Sequence, residues 1–175
     1  SAYKIRPLHD DLLARIAARV PQARFSMVPF PRPHVSEALA ARMRGAFAAR
    51  GLDFDRHVHI MGFLNVERFL ALARDADLNL DSIGWSGGNT TLEISWFDVP
   101  TITLPGPLMR SRHSAAMMRA MGLDELVVAD ADAWVDLAVA LAHDRPRREA
   151  LRARVREGKH VLYRDARVVE AFTRF

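Results

Sequence analysis

Cysteine is absent from the 175 residues of this chain, which excludes disulfides, thiolate metal sites and cysteine nucleophiles. Lysine is nearly absent: Lys4 and Lys159 stand alone among 25 basic residues, the rest being arginine. No run approaches the roughly 18 uninterrupted apolar residues of a membrane span. The opening Ser1-Ala2-Tyr3-Lys4 lacks the basic and apolar regions of a signal peptide. The expectation is a soluble, cytoplasmic protein with no membrane partner. Metal motifs are missing as well. The seven histidines show neither H-x-x-x-H nor H-E-x-x-H spacing. His57 and His59 stand two apart, where a strand would put both on one face. A metal pair and two unrelated side chains both fit that spacing, and no metal ligand is assigned.

Charge of one sign is also scarce in any one place. The net charge of +4 raises nucleic acid as a partner, but the arginines are interleaved with Asp and Glu along helical stretches. Even the densest run, Arg145 to Arg156, holds Glu149 and reads as a solvated helix face. No nucleic-acid partner is expected.

What is present is apolar sequence, 50% of the chain spread along its length, enough for one globular domain with its own core. Leu12, Leu13, Ile16 and Val20 stand at helical spacing within 8–20, closed by Pro21. Residues 24–28 predict a strand stopped by Pro29, Pro31 and Pro33, and 36–50 a helix ended by Gly51. A second strand follows at 57–61, then a helix at 66–75 capped by Asn65. Further strands are expected at 77–81, 100–104 and 126–128, with helices at 89–97 and 111–121 between them. From Asp130 onward the pattern is three closing helices, broken near 144–146 and 158–163. Strand and helix alternate at roughly 25–30 residues per unit, the signature of parallel winding with helices on both faces. The fold expected is α/β, a Rossmann-like three-layer αβα domain over 1–175 with a parallel sheet of about five or six strands. It opens on Tyr3-Lys4-Ile5 without a first strand and loop of its own, as a domain cut from a longer protein would.

In such sheets ligands bind where the strands end. The informative strand end is Ser86-Gly87-Gly88-Asn89-Thr90-Thr91-Leu92-Glu93. Two glycines let backbone approach a ligand closely. Asn89, Thr90 and Thr91 then open a helix, whose free N–H groups and dipole favour an anion, a phosphate or pyrophosphate. The same Gly87-Gly88 also suits a plain strand-to-helix turn capped by Asn89 or Thr90. Glu93 lies one turn beyond, where a carboxylate suits sugar hydroxyls or simply the positive end of the dipole. Arg110, Arg112 and His113 follow another strand end and fit either a cleft lining or a helix start. Phe69 can stack on a base or pack with Leu72 and Ala73. Trp85 and Trp96 are expected to pack.

The run from Asp81 to Glu93, followed by Val99-Pro-Thr-Ile-Thr-Leu-Pro-Gly106, resembles the donor-binding lobe of O-GlcNAc transferases. Bacterial members of that family carry tetratricopeptide repeats ahead of the catalytic region. The likeness extends over nearly the whole chain and implies the C-terminal lobe of a GT-B glycosyltransferase. The family transfers N-acetylglucosamine from UDP-GlcNAc to serine or threonine hydroxyls, inverting the anomeric centre without a metal or other cofactor. Carried onto this chain, the likeness implies that Lys4 neutralises the donor diphosphate. Gly87, Gly88, Asn89, Thr90 and Thr91 would cradle it, and Glu93 would hold the ribose. Val66 and Phe69 would lie on the nucleobase side, Leu64 would be a further donor-binding residue, and Arg112 would lie beside the donor sugar. The protein acceptor would be met by an N-terminal lobe and repeats not in this chain, so these residues alone are expected to be inactive. Other GT-B enzymes, with a lipid, sugar or asparagine acceptor, and a non-catalytic nucleotide-sugar-binding module share the pattern.

Overall fold

The structure, a computed structural model, describes residues 4–28, 33–62, 64–163 and 165–174. Pro29 and Pro31, expected to stop the first strand, lie outside the described residues. Helix α1 (Pro7–Arg19) begins with proline in its first turn, where the missing N–H is no loss. Leu12, Leu13, Ile16 and Ala17 form its buried face. Strand β1 (Phe25–Met27) leads to α2 (Pro33–Ala48), which buries Leu39, Met43 and Phe47 at four-residue intervals.

A short helix, α3 (Phe54–His57), was not foreseen. Asp53 caps it, accepting the Asp55 N–H at 3.0 Å. Strand β2 therefore starts only at Val58 and runs Val58–Ile60. His57 ends the helix with its ring buried and Nδ1 2.9 Å from the Ala23 carbonyl oxygen, whereas His59 is exposed on the strand. The two share neither element nor environment, so they form no metal pair.

The second half is nearer the expectation. Asn65 caps α4 (Val66–Arg74), its Oδ1 accepting the Arg68 N–H at 2.9 Å, a bond worth about 1 kcal/mol. Strand β3 (Asn79–Leu80), helix α5 (Asn89–Trp96), strand β4 (Thr101–Ile102) and helix α6 (His113–Ala120) follow. Helices α7 (Ala131–His143), α8 (Arg145–Gly158) and α9 (Ala166–Thr173) close the chain, capped by Asp130, Asp144 and Asp165.

The strand pairing is parallel throughout, as helical crossovers require. β1 pairs with β2 and β3 with β4. The continuous sheet of five or six strands is not what forms among the described residues. Two two-stranded pieces take its place, and the fifth strand shrinks to one parallel bridge between Thr103 and Val127. The cause is local: Asp124–Leu126 wind into a 3-10 turn, leaving only Val127 and its neighbours extended.

Helices α1, α2, α7 and α8 enclose the main apolar cluster, with Leu12, Phe47, Met43, Trp134 and Leu141 almost wholly buried. A smaller cluster of Ala73, Ile94 and Val99 lies between α4 and α5. The arginines of α8 do more than face solvent. Arg148 donates to the Leu141 and Ala142 carbonyls at the end of α7, and Arg152 to those of Ala76 and Phe97. They satisfy orphan carbonyls at element ends, a packing role that composition does not reveal. Among the described residues no helix is long and apolar enough to cross a membrane.

Candidate functional site

The carboxyl ends of β3 and β4 meet in a buried polar knot. Asp81, the residue after β3, is 5% exposed. Its Oδ1 accepts the Gly87 N–H at 2.7 Å and its Oδ2 the Thr103 hydroxyl at 2.7 Å. Burial pushes the carboxyl above the usual carboxylate range, and donors from Gly87, Thr103 and Ser114 offset part of that rise. The acid thereby ties the loop of residues 82–88 to the strand beside it.

That loop is built for close approach. Gly84 has φ of 90°, a conformation that disfavours a side chain, and a Cβ there would stand 3.3 Å from the Arg6 guanidinium carbon. A Cβ on Gly87 would meet Thr91 Oγ1 at 2.1 Å. Thr91 cannot yield easily, because it is fully buried and its Oγ1 is 2.9 Å from Ser114 Oγ. Ser86 links the loop to the segment before α6. Its N–H and hydroxyl donate to the Arg110 carbonyl at 2.9 and 3.1 Å, and its Oγ accepts the His113 N–H at 3.0 Å.

Cations gather over this scaffold. Lys4 Nζ donates to the Ser86 carbonyl at 3.1 Å and lies 5.6 Å from the centre of the Trp85 ring. The Arg110 guanidinium lies 5.5 Å from the same ring, and both cations are attracted to its face. Asn89 and Thr90 are exposed at the start of α5. The first N–H groups of a helix have no acceptor within it, and they stand at the positive end of its dipole. A cleft of about 820 Å³ is lined by Lys4, Asp81, Gly87 and Thr90 at this end and takes in Phe69. Such a mouth, cationic and rich in N–H groups, can hold an anion.

Lys4, Gly87, Thr90 and Phe69 are thus brought to one cleft, with Gly88 and Asn89 adjoining in the chain. Two expectations need correction. The Gly87 N–H is committed to Asp81 and is not free for a ligand. The Thr91 hydroxyl points inward to Ser114, and its N–H goes to the Gly88 carbonyl at 2.9 Å, because the third helical position faces the core rather than the mouth. Glu93 is exposed one turn beyond Asn89, but it lines a separate apolar groove of about 310 Å³ with Leu70, Trp96 and Tyr163. Half-buried Leu64 and exposed Arg112 line neither recess. Sequence reading missed Asp81 as an anchor, and with it Ser86 and Ser114. The available signal was an acid at the strand end, six residues ahead of Gly87. Trp85, expected to pack, is 44% exposed.

Comparison with known proteins bears on what the cleft holds. The profile of glycosyl transferase family 41 matches residues 1–164. A UDP-N-acetylglucosamine--peptide N-acetylglucosaminyltransferase of Caenorhabditis elegans is 30% identical over 156 residues, 87% of this chain and 13% of that protein. A probable enzyme of the same description, SPINDLY of Petunia hybrida, is 28% identical over 88% of this chain and 16% of its own length. Among solved structures, a mutant of the Thermobaculum terrenum O-GlcNAc transferase aligns with a TM-score of 0.84 at 28% identity. That match covers 98% of this chain and 34% of the other. The chain therefore spans a minor part of each protein it resembles.

Proposed function

The chain belongs to glycosyl transferase family 41, and from that premise we propose that residues 1–175 form the donor-binding domain of an inverting protein O-GlcNAc transferase. The donor is UDP-GlcNAc, and its diphosphate sits between Lys4 and the first turn of α5. The observation that carries this reading is the bond from Lys4 Nζ to the Ser86 carbonyl, 3.1 Å long. It joins residues 82 apart and sets an ammonium beside the helix start, where Asn89 and Thr90 are exposed.

In glycosyl transfer the bond from the anomeric carbon to the diphosphate oxygen breaks as the acceptor hydroxyl attacks from the opposite face. Negative charge then grows on the departing UDP. A fixed ammonium and unpaired N–H groups at that position stabilise the developing charge without rearrangement. Lys4 and the helix dipole supply that positive charge themselves, so the proposed chemistry draws on no metal or cofactor. The acceptor hydroxyl and the base that takes its proton come from outside these residues. Phe69, within the cleft, is assigned to the nucleobase; Glu93, which lines the neighbouring groove one turn beyond Asn89, is assigned to the ribose on the family resemblance alone.

Calorimetric titration with UDP, UDP-GlcNAc, GDP and ADP tests the reading, alongside Lys4→Ala and Glu93→Ala. Selective binding of the uridine nucleotides, weakened at least tenfold (about 1.4 kcal/mol) by Lys4→Ala, is the expected result. Weakening by Glu93→Ala places its carboxylate on the ribose. Preference for GDP or ADP would keep the diphosphate site and reject the UDP donor.

A further inference from the structure

His9 has no part in the family resemblance, yet it lies where the two halves of the cleft mouth meet. It is 2% exposed in the first turn of α1. One side of its ring faces the segment that bears Lys4, and the other faces the loop that bears Ser86 and the glycines. Nε2 lies 2.8 Å from the Ile83 backbone nitrogen, a contact between residues 74 apart. Nδ1 lies 3.0 Å from the Arg6 nitrogen and 3.2 Å from the Arg6 carbonyl oxygen.

The two sides cannot both accept from N–H groups, because a neutral imidazole has one lone pair and one N–H. The Ile83 N–H has no choice but to donate, and at 2.8 Å it takes the lone pair of Nε2. Nδ1 then carries the proton and donates to the Arg6 carbonyl at 3.2 Å, so that the Arg6 N–H, which points at Nδ1 from 3.0 Å, gives up the ring as its acceptor. A proton added at Nε2 would take away the lone pair that accepts the Ile83 N–H, on a ring only 2% exposed. The bond to the loop can therefore exist only while the ring is neutral.

We infer that His9 is a positioning residue for the donor site, its neutral ring holding the Lys4 segment in register with the 83–88 loop. The inference rests on the reading of that site as the seat of the donor diphosphate. Lys4 is five residues from His9 and Ser86 three from Ile83, so the bond fixes the separation across which Lys4 meets the Ser86 carbonyl. Gly84 contributes to the same junction, with the Arg6 guanidinium packed where a side chain would otherwise stand.

The surroundings favour the neutral form. Burial is the chief cause that holds the imidazole below the ordinary histidine range, and the charges of Arg6 and Arg42 add to it. The bond to the Arg6 carbonyl and the charge of Asp10 oppose them. Arg42 comes from α2 and is paired with Asp10, its Nη2 3.2 Å from Oδ1, so these two charges largely offset each other at the ring. On the loop side, Asp81 stands two residues before Ile83, and His113 adjoins Ser86 from the start of α6.

The test is calorimetric titration with UDP-GlcNAc from about pH 8 to about pH 5, the window in which histidine changes charge. Its diphosphate is esterified at both ends and has no group that titrates there. Binding to the unaltered protein is expected to weaken as pH falls, by up to about tenfold for each unit below the ring's pKa, as the competent fraction falls. His9→Gln keeps an acceptor within reach of the Ile83 N–H but does not titrate. It is expected to bind at pH 8 within a few-fold of the unaltered protein and to lose the acid limb of the profile. His9→Leu strands the Ile83 N–H and is expected to bind weakly at every pH. An acid limb that persists in His9→Gln would assign the titration to another group, the buried Asp81 carboxyl of the same loop first, and overturn the inference while leaving the donor site intact. Absence of UDP-GlcNAc binding by the unaltered protein at pH 8 would overturn the donor site and this role of His9 together.

Discussion

Around Trp134 the molecule is held by apolar contact, and around Gly87 by hydrogen bonds, although each region has side chains wholly closed to solvent. Trp134, Phe47, Met43 and Leu141 sit at 1% exposure or less among aliphatic neighbours. The Trp134 indole Nε1 has no hydrogen-bond partner, so shape and burial alone keep it there. Thr91, Thr103 and Ser114 are as deeply buried, but each is fixed by a named donor or acceptor. The apolar region gives stability that scales with area and tolerates approximate fit. The polar region adds little net stability per bond and gives direction instead, setting where backbone N–H groups and Lys4 face the cleft. A protein that must present charge to a ligand at fixed positions needs the second kind of order laid on the first.

The comparison breaks most visibly at its apolar end. Trp134→Ala removes the largest sealed side chain and is expected to cost about 3–5 kcal/mol, read as a lower denaturant midpoint. Nucleotide affinity of the fraction still folded should change by no more than a few-fold, because the indole, although it borders the same cleft, makes no bond to the loop that carries Gly87.

Asp81 separates charge from hydrogen bonding at the polar end. Asp81→Ala strands the buried Gly87 N–H and Thr103 hydroxyl and is expected to cost about 2–3 kcal/mol, with a matching loss of nucleotide affinity. Asp81→Asn retains an acceptor for Gly87 and should keep most of both. Because burial raises the folded carboxyl above its unfolded value, ionising it works against the fold. That cost is absent at low pH, sets in as pH rises from about 3.8 to the higher folded value, and then stays constant. Chemical denaturation across that range should show Asp81→Asn gaining stability relative to the native acid as pH rises.

Gly87→Ala gives the smallest stability effect of the three and the sharpest effect on the site. The added methyl would press on Thr91 Oγ1, an overpacking cost of about 1–2 kcal/mol by thermal denaturation. The start of α5 should shift with it, so affinity for UDP-GlcNAc should fall by more than the change in stability suggests.

The sequence and the structure agree best where local chemistry decides the outcome. Pro7, Asn65, Asp130 and Asp144 start helices where their capping chemistry says they should. Agreement is poorest for strands only two or three residues long. Their pairing depends on neighbours far along the chain, and the 3-10 turn at Asp124–Leu126 removes the fifth from the sheet. Within the candidate site, the helix start at Asn89 was legible from the glycine pair and the polar residues after it, whereas Lys4 was singled out by the family resemblance alone. The inward turn of Thr91 was not legible, since Ser114 lies 23 residues away on another helix. Neither was the hold of Asp81 on Thr103, across 22 residues, nor that of His9 on Ile83. Each needs knowledge of which strand ends and helices lie side by side.

The most direct test of the central claim is to titrate UDP-GlcNAc into the native protein and Lys4→Ala at neutral pH, with thermal denaturation of both. The account predicts similar stability, within about 1 kcal/mol for the loss of one half-buried hydrogen bond, and affinity at least tenfold weaker in the variant. Equal affinity in two equally stable proteins would contradict it, since the diphosphate would then lie away from Lys4 and the start of α5.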